Sequence, residues 1–318
     1  MNEWLIIVNP NAGRKKGRKD WEGISALLTK NGFLFQALFT GHKLHAIDLT
    51  LQKIREGYRK FLVVGGDGTL NEVVNGMFSQ QAVPAHEFTL GMIPVGTGND
   101  WCRTFGVSFR HEEAIVQMAT GKTFLQDVGC IQYQEDGTEK TRYFVNIAGM
   151  GYDALVAEKT NIQKEKGEGG PLSYFYNIFA GLLEYKFKFA DIIIDGKKYR
   201  ESIFSMNVGI CKFNGGGMKQ LPDAIPDDGI FDVLIIRKTS KFAVIRHVKK
   251  LYDGTLKKLP MVSMLTGKSV EITSDTPIMI EADGESLGHS PFRFSILPKA
   301  LRVITGNYPE GLPISRQP

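Results

Sequence analysis

The sequence predicts two folding units of different class: an α/β domain on a parallel sheet over residues 1–129, and an antiparallel β-sheet or sandwich over 130–298. Three observations carry this. Up to about Gly129, short β-branched or aromatic runs alternate with helix-period segments, the signature of βαβ units. Beyond Gly129 such runs follow one another with few helical stretches between them. The chain is 318 residues long, enough for about two domains each with its own core. The final segment, about 299–318, is expected to pack back on the first domain.

Taken in order, the runs of the first part are Trp4 to Val8, Phe33 to Phe39, Phe61 to Val64 and Phe88 to Ile93. Between them, Trp21, Ile24, Leu27 and Leu28 fall on one helical face, and Ile47, Leu51 and Ile54 on another. In the second part the runs are Arg142 to Ile147, Ala190 to Ile194, Ser202 to Ile210, Phe231 to Arg237, Val270 to Thr273, Ile278 to Glu281 and Phe292 to Ile296. Asp195-Gly196 has the chemistry of a two-residue hairpin turn. Helical stretches interrupt the strands around Pro171 to Tyr185 and around Lys241 to Tyr252, and Gly167 to Gly170 reads as a short linker.

Composition narrows the class. Apolar residues make up 42% and charged residues 23%, an ordinary globular balance that excludes disordered and fibrous chains. A net charge of +5 is too mild to require a nucleic acid, and none is expected as a partner. Cys102, Cys130 and Cys211 form neither a disulfide framework nor a zinc pattern, which suits a reducing, cytoplasmic compartment. No export leader is expected at Met1 to Asn9. The apolar stretch Tyr174 to Phe189 is interrupted by Asn177, Glu184, Lys186 and Lys188, short of the roughly 20 apolar residues that a membrane span needs.

Three loops carry the chemistry. Val63-Val64-Gly65-Gly66-Asp67-Gly68-Thr69 follows a buried strand and precedes the helical pattern of Leu70, Val73, Val74 and Met77. Glycines there let backbone N–H groups approach an anion, and the following helix N-terminus adds positive dipole. Asp67 would repel phosphate unless a metal ion intervenes or the carboxylate acts as a base, and both uses point to phosphoryl transfer. The competing reading is a tight turn with Asp67 as a helix cap. Gly96-Thr97-Gly98-Asn99-Asp100 and Asn9-Pro10-Asn11-Ala12-Gly13 occupy equivalent strand ends, where open α/β sheets bind ligands. Asn9, Thr69 and Thr97 would add side-chain donors. The dinucleotide fingerprint fails at Asn71, and no P-loop motif occurs.

In order and spacing, these loops resemble the diacylglycerol kinase catalytic domain shared by bacterial lipid kinases and sphingosine kinases. Asp127-Val128-Gly129 is similar to that family's domain junction, and Asn146 to Ala154 to its N-x-x-G-x-G-x-D-A segment. Gly216-Gly217-Met218, Pro222-Asp223-Ala224, Asp227-Asp228-Gly229 and Ala282-Asp283-Gly284-Glu285 resemble its second-domain motifs. The resemblance implies a Rossmann-like ATP-binding α/β domain, as in NAD kinases, and a β-sandwich that takes the lipid, with the active site in a cleft between them. It implies ATP contacts from Asn9, Pro10, Gly13, Thr40, Gly66, Asp67, Gly68, Thr69, Leu70, Asn71, Glu72 and Thr97. It also implies a carboxylate and Mg²⁺ network of Asp67, Asp100, Asp127 and Glu285, with Asp283 as base. A separate Mg²⁺ would fall on Asp223, Asp227 and Asp228, a loop that composition alone reads as a solvated acidic turn. Ala12, Leu44 and Cys102 depart from the family pattern without removing a carboxylate.

A lipid alcohol is a poor acid, so a carboxylate that takes its proton as the bond forms contributes about 10²–10⁴-fold. Asp67 and Asp283 both qualify. The expected activity is ATP- and Mg²⁺-dependent phosphorylation of a membrane-lipid hydroxyl, diacylglycerol to phosphatidic acid, with a sphingoid-base kinase, an NAD kinase and a non-catalytic nucleotide-binding protein as the alternatives. Such an enzyme would dock transiently on the inner face of the membrane. Two basic clusters could serve: Arg14, Lys15, Lys16, Arg18 and Lys19, or Lys241, Arg246, Lys249, Lys250, Lys257 and Lys258 beside Phe242, Ile245 and Val248. The aromatics Tyr174, Phe175, Tyr176 and Phe179 would shape a lipid pocket or fill a core. A homodimer is left open.

Overall fold

In the computed structural model, residues 3–165, 177, 180–182 and 184–308 are described. Most of the helix expected around Pro171 to Tyr185, the aromatics at 174–176 and 179, and the Gly167 to Gly170 linker lie outside them. The chain divides into two compact units. The first takes the chain up to Asp127, Pro226–Asp228 and the chain from Pro298 on; the second takes Val128–Ile225 and Gly229–Leu297.

The first unit is built on a parallel sheet. β1 (Trp4–Val8) lies between β2 (Phe35–Phe39) and β3 (Lys60–Gly65), and β3 pairs in turn with β4 (Thr89–Pro94). Leu5 to Val8 and Phe61 to Val64 are fully buried, the unbroken apolar runs of strands covered on both faces. The helices α1 (Ala12–Lys30), α2 (His45–Arg55), α3 (Asp67–Phe78), α4 (Asp100–Thr104) and α5 (His111–Thr120) alternate with these strands. Two glycines set the packing distance. A Cβ on Gly76 would come within 2.6 Å of Thr50 in α2, and one on Gly91 within 2.6 Å of the Met118 sulfur in α5. Close helix contact at these points requires a residue without a side chain.

β4 has a further parallel neighbour, because Arg302 and Val303 pair with Thr89 and Leu90. These residues belong to a strand assigned over Glu285–Ile304, whereas the apolar pattern marks only Phe292 to Ile296. The extension has alternating exposure beyond that run, too weak a signal to register as a strand by hydrophobicity.

The second unit is antiparallel. It comprises β6 (Thr138–Phe144), β7 (Ile147–Gly151), β8 (Lys188–Ile194), β9 (Lys197–Gly209), β10 (Phe231–Arg237), β11 (Val262–Gly267), β12 (Ser269–Thr273) and β13 (Met279–Ala282), with β5 (Thr123–Glu135) from Val128 on and β14 (Glu285–Ile304) up to Leu297. β9 pairs through Lys197 to Ile203 with β8 and through Ser205 to Gly209 with β7, and β14 pairs with both β13 and β12. Two long strands thus belong to two layers and close a sandwich around Ile131, Phe144, Met150, Ile192, Met206, Val233, Ile272, Ile280 and Phe292. Asp195-Gly196 forms the expected hairpin, both residues having positive φ (46° and 81°), and the Asp195 carboxylate accepts the N–H groups of Lys268 and Ser269.

The run Arg142 to Ile147 is not one strand. β6 ends at Phe144 and β7 starts at Ile147, because the N–H groups of Val145, Asn146 and Ile147 bond to the carboxylate of Asp283 instead of a ladder partner. The helix α6 (Tyr152–Glu165) follows directly. After β10, the expected helical stretch is two pieces, α7 (Lys241–His247) and α8 (Lys249–Asp253).

Candidate active site

In the first unit the three small-residue loops converge. Asn9 follows β1, and its side-chain amide donates to the Thr69 hydroxyl at 2.9 Å while its Oδ1 accepts Asn11 N–H at 3.0 Å. Gly13, Arg14 and Lys15 all have positive φ (59°, 61° and 68°), so the start of α1 is a left-handed run before regular helix begins. A Cβ on Gly13 would lie 2.0 Å from the Val95 carbonyl, so this loop rests directly on the one after β4. The second and third loops meet just as closely: a Cβ on Gly96 would lie 2.7 Å from the Gly66 Cα and 2.7 Å from Asn99 Oδ1. Gly66 is the N-cap of α3, in extended conformation, and as glycine it has no side chain of its own to cap that terminus. Backbone N–H groups and helix dipole are therefore presented together at a surface bordered by glycine, which suits a phosphate chain.

The carboxylates of this unit are held by main-chain donors. Asp67 Oδ2 accepts Asp100 N–H at 3.0 Å and Oδ1 accepts Trp101 N–H at 3.2 Å, so Asp67 caps α4. Glu72 bonds the N–H groups of Leu44 and Ala46 at 2.9 and 3.1 Å and so fixes the start of α2. Leu70 and Asn71 are buried in the packing of α3, where Asn75 donates to the Asn71 side chain. Thr40 is buried and donates its N–H to Val8 O, while Thr97 is exposed. Asp100 is buried with Arg103 Nε 3.5 Å from its carboxylate. Asp127, fully buried, accepts Lys299 N–H at 2.7 Å and donates its own N–H to Pro226 O.

In the second unit, Asp283 and Gly284 form a positive-φ turn (50° and 84°) between β13 and β14. Both Asp283 oxygens are engaged: Oδ2 by Val145 N–H at 2.9 Å, Oδ1 by Asn146 and Ile147 N–H at 2.9 and 3.2 Å. Glu285 is half-buried at the start of β14.

Two carboxylates of the acidic loop have lysine partners. Asp223, in the second unit, pairs with Lys257, and Asp227, in the first, lies 4.0 Å from Lys299. Among the described residues no group of three His, Cys, Asp or Glu side chains is placed to hold a metal ion. The expectation of Mg²⁺ on Asp223, Asp227 and Asp228 comes from the family resemblance, and two of those carboxylates have a lysine beside them here.

Residues 3–131 match the family model of the diacylglycerol kinase catalytic domain, and residues 146–305 that of the YegS C-terminal NAD kinase beta sandwich-like domain. The chain is 30% identical over 303 residues to a diacylglycerol kinase of Staphylococcus saprophyticus, an alignment covering 95% of each protein. The chain belongs to the diacylglycerol kinase family. A diacylglycerol kinase of Staphylococcus aureus is also 30% identical, over 95% of this chain and 92% of its own. A crystal structure of a diacylglycerol kinase from Bacillus anthracis shares the fold, with a TM-score of 0.73 at 23% identity over 96% of this chain and 97% of the other. Yeast NADH kinase, at 11% identity and a TM-score of 0.50 over 96% and 84% of the chains, shares the fold more distantly. Family membership makes the chain an enzyme of the lipid-kinase class, α/β in its first part and β-sandwich in its second. No helix of the described residues is long and apolar enough to cross a membrane.

For this member of the diacylglycerol kinase family, the sequence left one polar network unremarked. Glu281, buried in β13, accepts Gly284 N–H at 2.8 Å and the Asn214 amide at 3.2 Å. Asp153, at the start of α6, accepts Ser205 Oγ at 2.8 Å and the Gln220 amide at 3.2 Å. Burial raises both acids, Glu281 to about 8, and the nearby Asp153 charge pushes Glu281 the same way. Gly149 makes room for them, since a Cβ there would lie 2.6 Å from Glu281 Oε1. An acid within an apolar strand run, as Glu281 is after Ile278 and Ile280, was the available signal.

Proposed function

We propose that this kinase transfers the γ-phosphoryl group of ATP, with Mg²⁺, to the free hydroxyl of diacylglycerol, giving phosphatidic acid at the inner face of the membrane. The observation that carries the reading is the convergence of the Asn9–Gly13, Gly66–Thr69 and Gly96–Asp100 loops around the glycine N-cap of α3. In this reading residues 1–129, with about 299–318, hold the nucleotide and residues 130–298 the lipid, the division that the two family models suggest.

ATP would supply the electrophilic phosphorus, and Mg²⁺ would offset charge on the phosphate oxygens. The chain's own part is to bind and orient. Backbone N–H groups of Gly66, Asp67, Gly68 and Thr69 face the phosphates, with Asn9, Pro10, Gly13, Thr40 and Thr97 bordering them. Glu72, Leu70 and Asn71 act from behind by fixing α2 and α3. Asp67, Asp100 and Glu285 offer hard oxygens suited to Mg²⁺, with Asp127 in support, and the Asp223–Asp228 loop is a second candidate for that ion. As the lipid oxygen bonds to the γ-phosphorus, the bond from that phosphorus to the β,γ-bridging oxygen breaks and ADP leaves with its electron pair, while the lipid O–H proton passes to a carboxylate oxygen of Asp283, or of Asp67.

The test is incubation of the purified chain with labelled ATP and mixed micelles containing diacylglycerol, sphingosine or phosphatidylglycerol, and separately with NAD. Labelled phosphatidic acid, formed only with Mg²⁺ present, is the expected product. Label in a sphingoid phosphate or in a dinucleotide, with none in phosphatidic acid, overturns the reading.

A further inference from the structure

Residues 238–258 carry seven Lys or Arg against one acid, Asp253. Within them α7 and α8, joined at Val248 in helical conformation, put their apolar residues on two opposed sides. Val244 packs inward with Tyr152, Leu182 and Phe204, and Leu251 packs with Leu221 and Leu256. Phe242, Ile245 and Tyr252 turn the other way and are 72%, 48% and 39% exposed. The spacing 242, 245, 249 and 252 puts Lys249 on the same helical face as the three exposed apolar residues. Lys241, Arg246 and Lys249 are exposed beside that row.

The inward face packs these helices on the core, while Phe242 and Ile245 leave much of their apolar surface to solvent. The chemistry of that outward row is that of a helix lying in a membrane interface: bulky apolar side chains outward, cations on the flanks. The cluster Arg14 to Lys19 lacks that second element, since it offers exposed cations with no large apolar side chain among them. We propose that α7 and α8 form the membrane-docking surface, with Phe242 and Ile245 entering the acyl boundary of an anionic bilayer while Lys241, Arg246 and Lys249 meet the lipid phosphates. A lipid surface, not a protein, is the occupant because the charge is of one sign and each cation near an anionic leaflet adds roughly fivefold to binding. The surface deepens the lipid-kinase reading by saying how the enzyme reaches its acceptor, but vesicle binding is measured without turnover, so the two ideas fail separately.

The experiment sediments the full chain with vesicles of phosphatidylcholine alone and with an equal part of phosphatidylglycerol. The wild type is expected to pellet only with the anionic vesicles, and less so as salt rises. Phe242→Ser with Ile245→Ser, and separately Arg246→Glu with Lys249→Glu, are expected to weaken binding at least tenfold. Both are expected to leave phosphorylation of a short-chain, monomeric diacylglycerol unchanged. A wild type that ignores anionic vesicles, or an apolar double variant that binds them as well as the wild type does, overturns the proposal. So does loss of binding on Arg14→Glu with Lys16→Glu while the α7 variants still bind, or conversion of a dimer to a monomer by the α7 variants with no vesicle binding at all. If the wild type binds vesicles but leaves every diacylglycerol untouched, the docking surface stands and the proposed reaction falls.

Discussion

Asp67 and Asp100 are joined through the main chain: the carboxylate of Asp67 receives the N–H of Asp100 at 3.0 Å and that of the next residue, Trp101, at 3.2 Å. One acid of the glycine loop thereby sets the position of the other at the head of α4.

Asp67→Asn retains one carbonyl acceptor but loses the negative charge at the α4 terminus. A stability loss of about 1 kcal/mol is expected from denaturant unfolding. Turnover is expected to fall at least a hundredfold, much more than the unfolding change explains; near-normal kcat would remove Asp67 from the chemistry.

Asp283→Asn and Asp283→Ala separate anchoring from proton transfer. Asparagine tolerates the positive φ at this position and keeps an oxygen for the Val145 to Ile147 donors, so folding is expected to survive with turnover lost. Alanine leaves three buried N–H groups without their acceptor and is expected to cost about 2–4 kcal/mol. Equal stability of the two variants would contradict the anchoring role.

Gly96→Ala tests loop convergence. The added methyl would lie 2.7 Å from the Gly66 backbone, so the two loops must part. The KM for ATP is expected to rise at least tenfold with the affinity for lipid unchanged. An unchanged KM for ATP would show that the nucleotide does not use these loops.

Glu281 gives a pH prediction. Its carboxyl is raised from an ordinary value of 4.5 to about 8, so the folded chain holds a proton that the unfolded chain releases. The stability this contributes is full below about pH 4.5 and is lost as pH rises through about 8, with a slope of up to about 1.4 kcal/mol per unit. Asp153 acts in the same direction. Unfolding curves between pH 5 and 9 are expected to show a steeper decline for the wild type than for Glu281→Gln. Parallel curves would mean that Glu281 is ionised in the folded chain.

Local chemistry was the legible part. β1, β3 and β4 carry buried apolar runs, and the loops after them are marked by Gly, Asn and Thr. What the acids in those loops bond to was not legible, because Glu72 reaches Leu44, Asp67 reaches Asp100, and Asp283 reaches Val145 across 138 residues. Such pairings are made by the tertiary fold and leave no periodicity. For the same reason the break between β6 and β7 was read as continuous strand. Hydrophobic alternation there is intact, and only the withdrawal of three N–H groups to a distant carboxylate ends the ladder. β5 and β11 are absent from the expected runs, and the ends of β14 are half-exposed and polar: Gln, Asp, Ser and Thr interrupt the apolar residues, so a pattern built on apolar alternation passes over these segments.

The pairing of Arg302 and Val303 with Thr89 and Leu90 has a consequence for biosynthesis. Ribosomes deliver β4 about two hundred residues before the strand that covers it, so a nascent chain exposes the bare edge of a parallel sheet throughout that interval. The parallel sheet of the first unit is begun early and completed late, and chaperone capture of stalled chains should concentrate on that waiting edge.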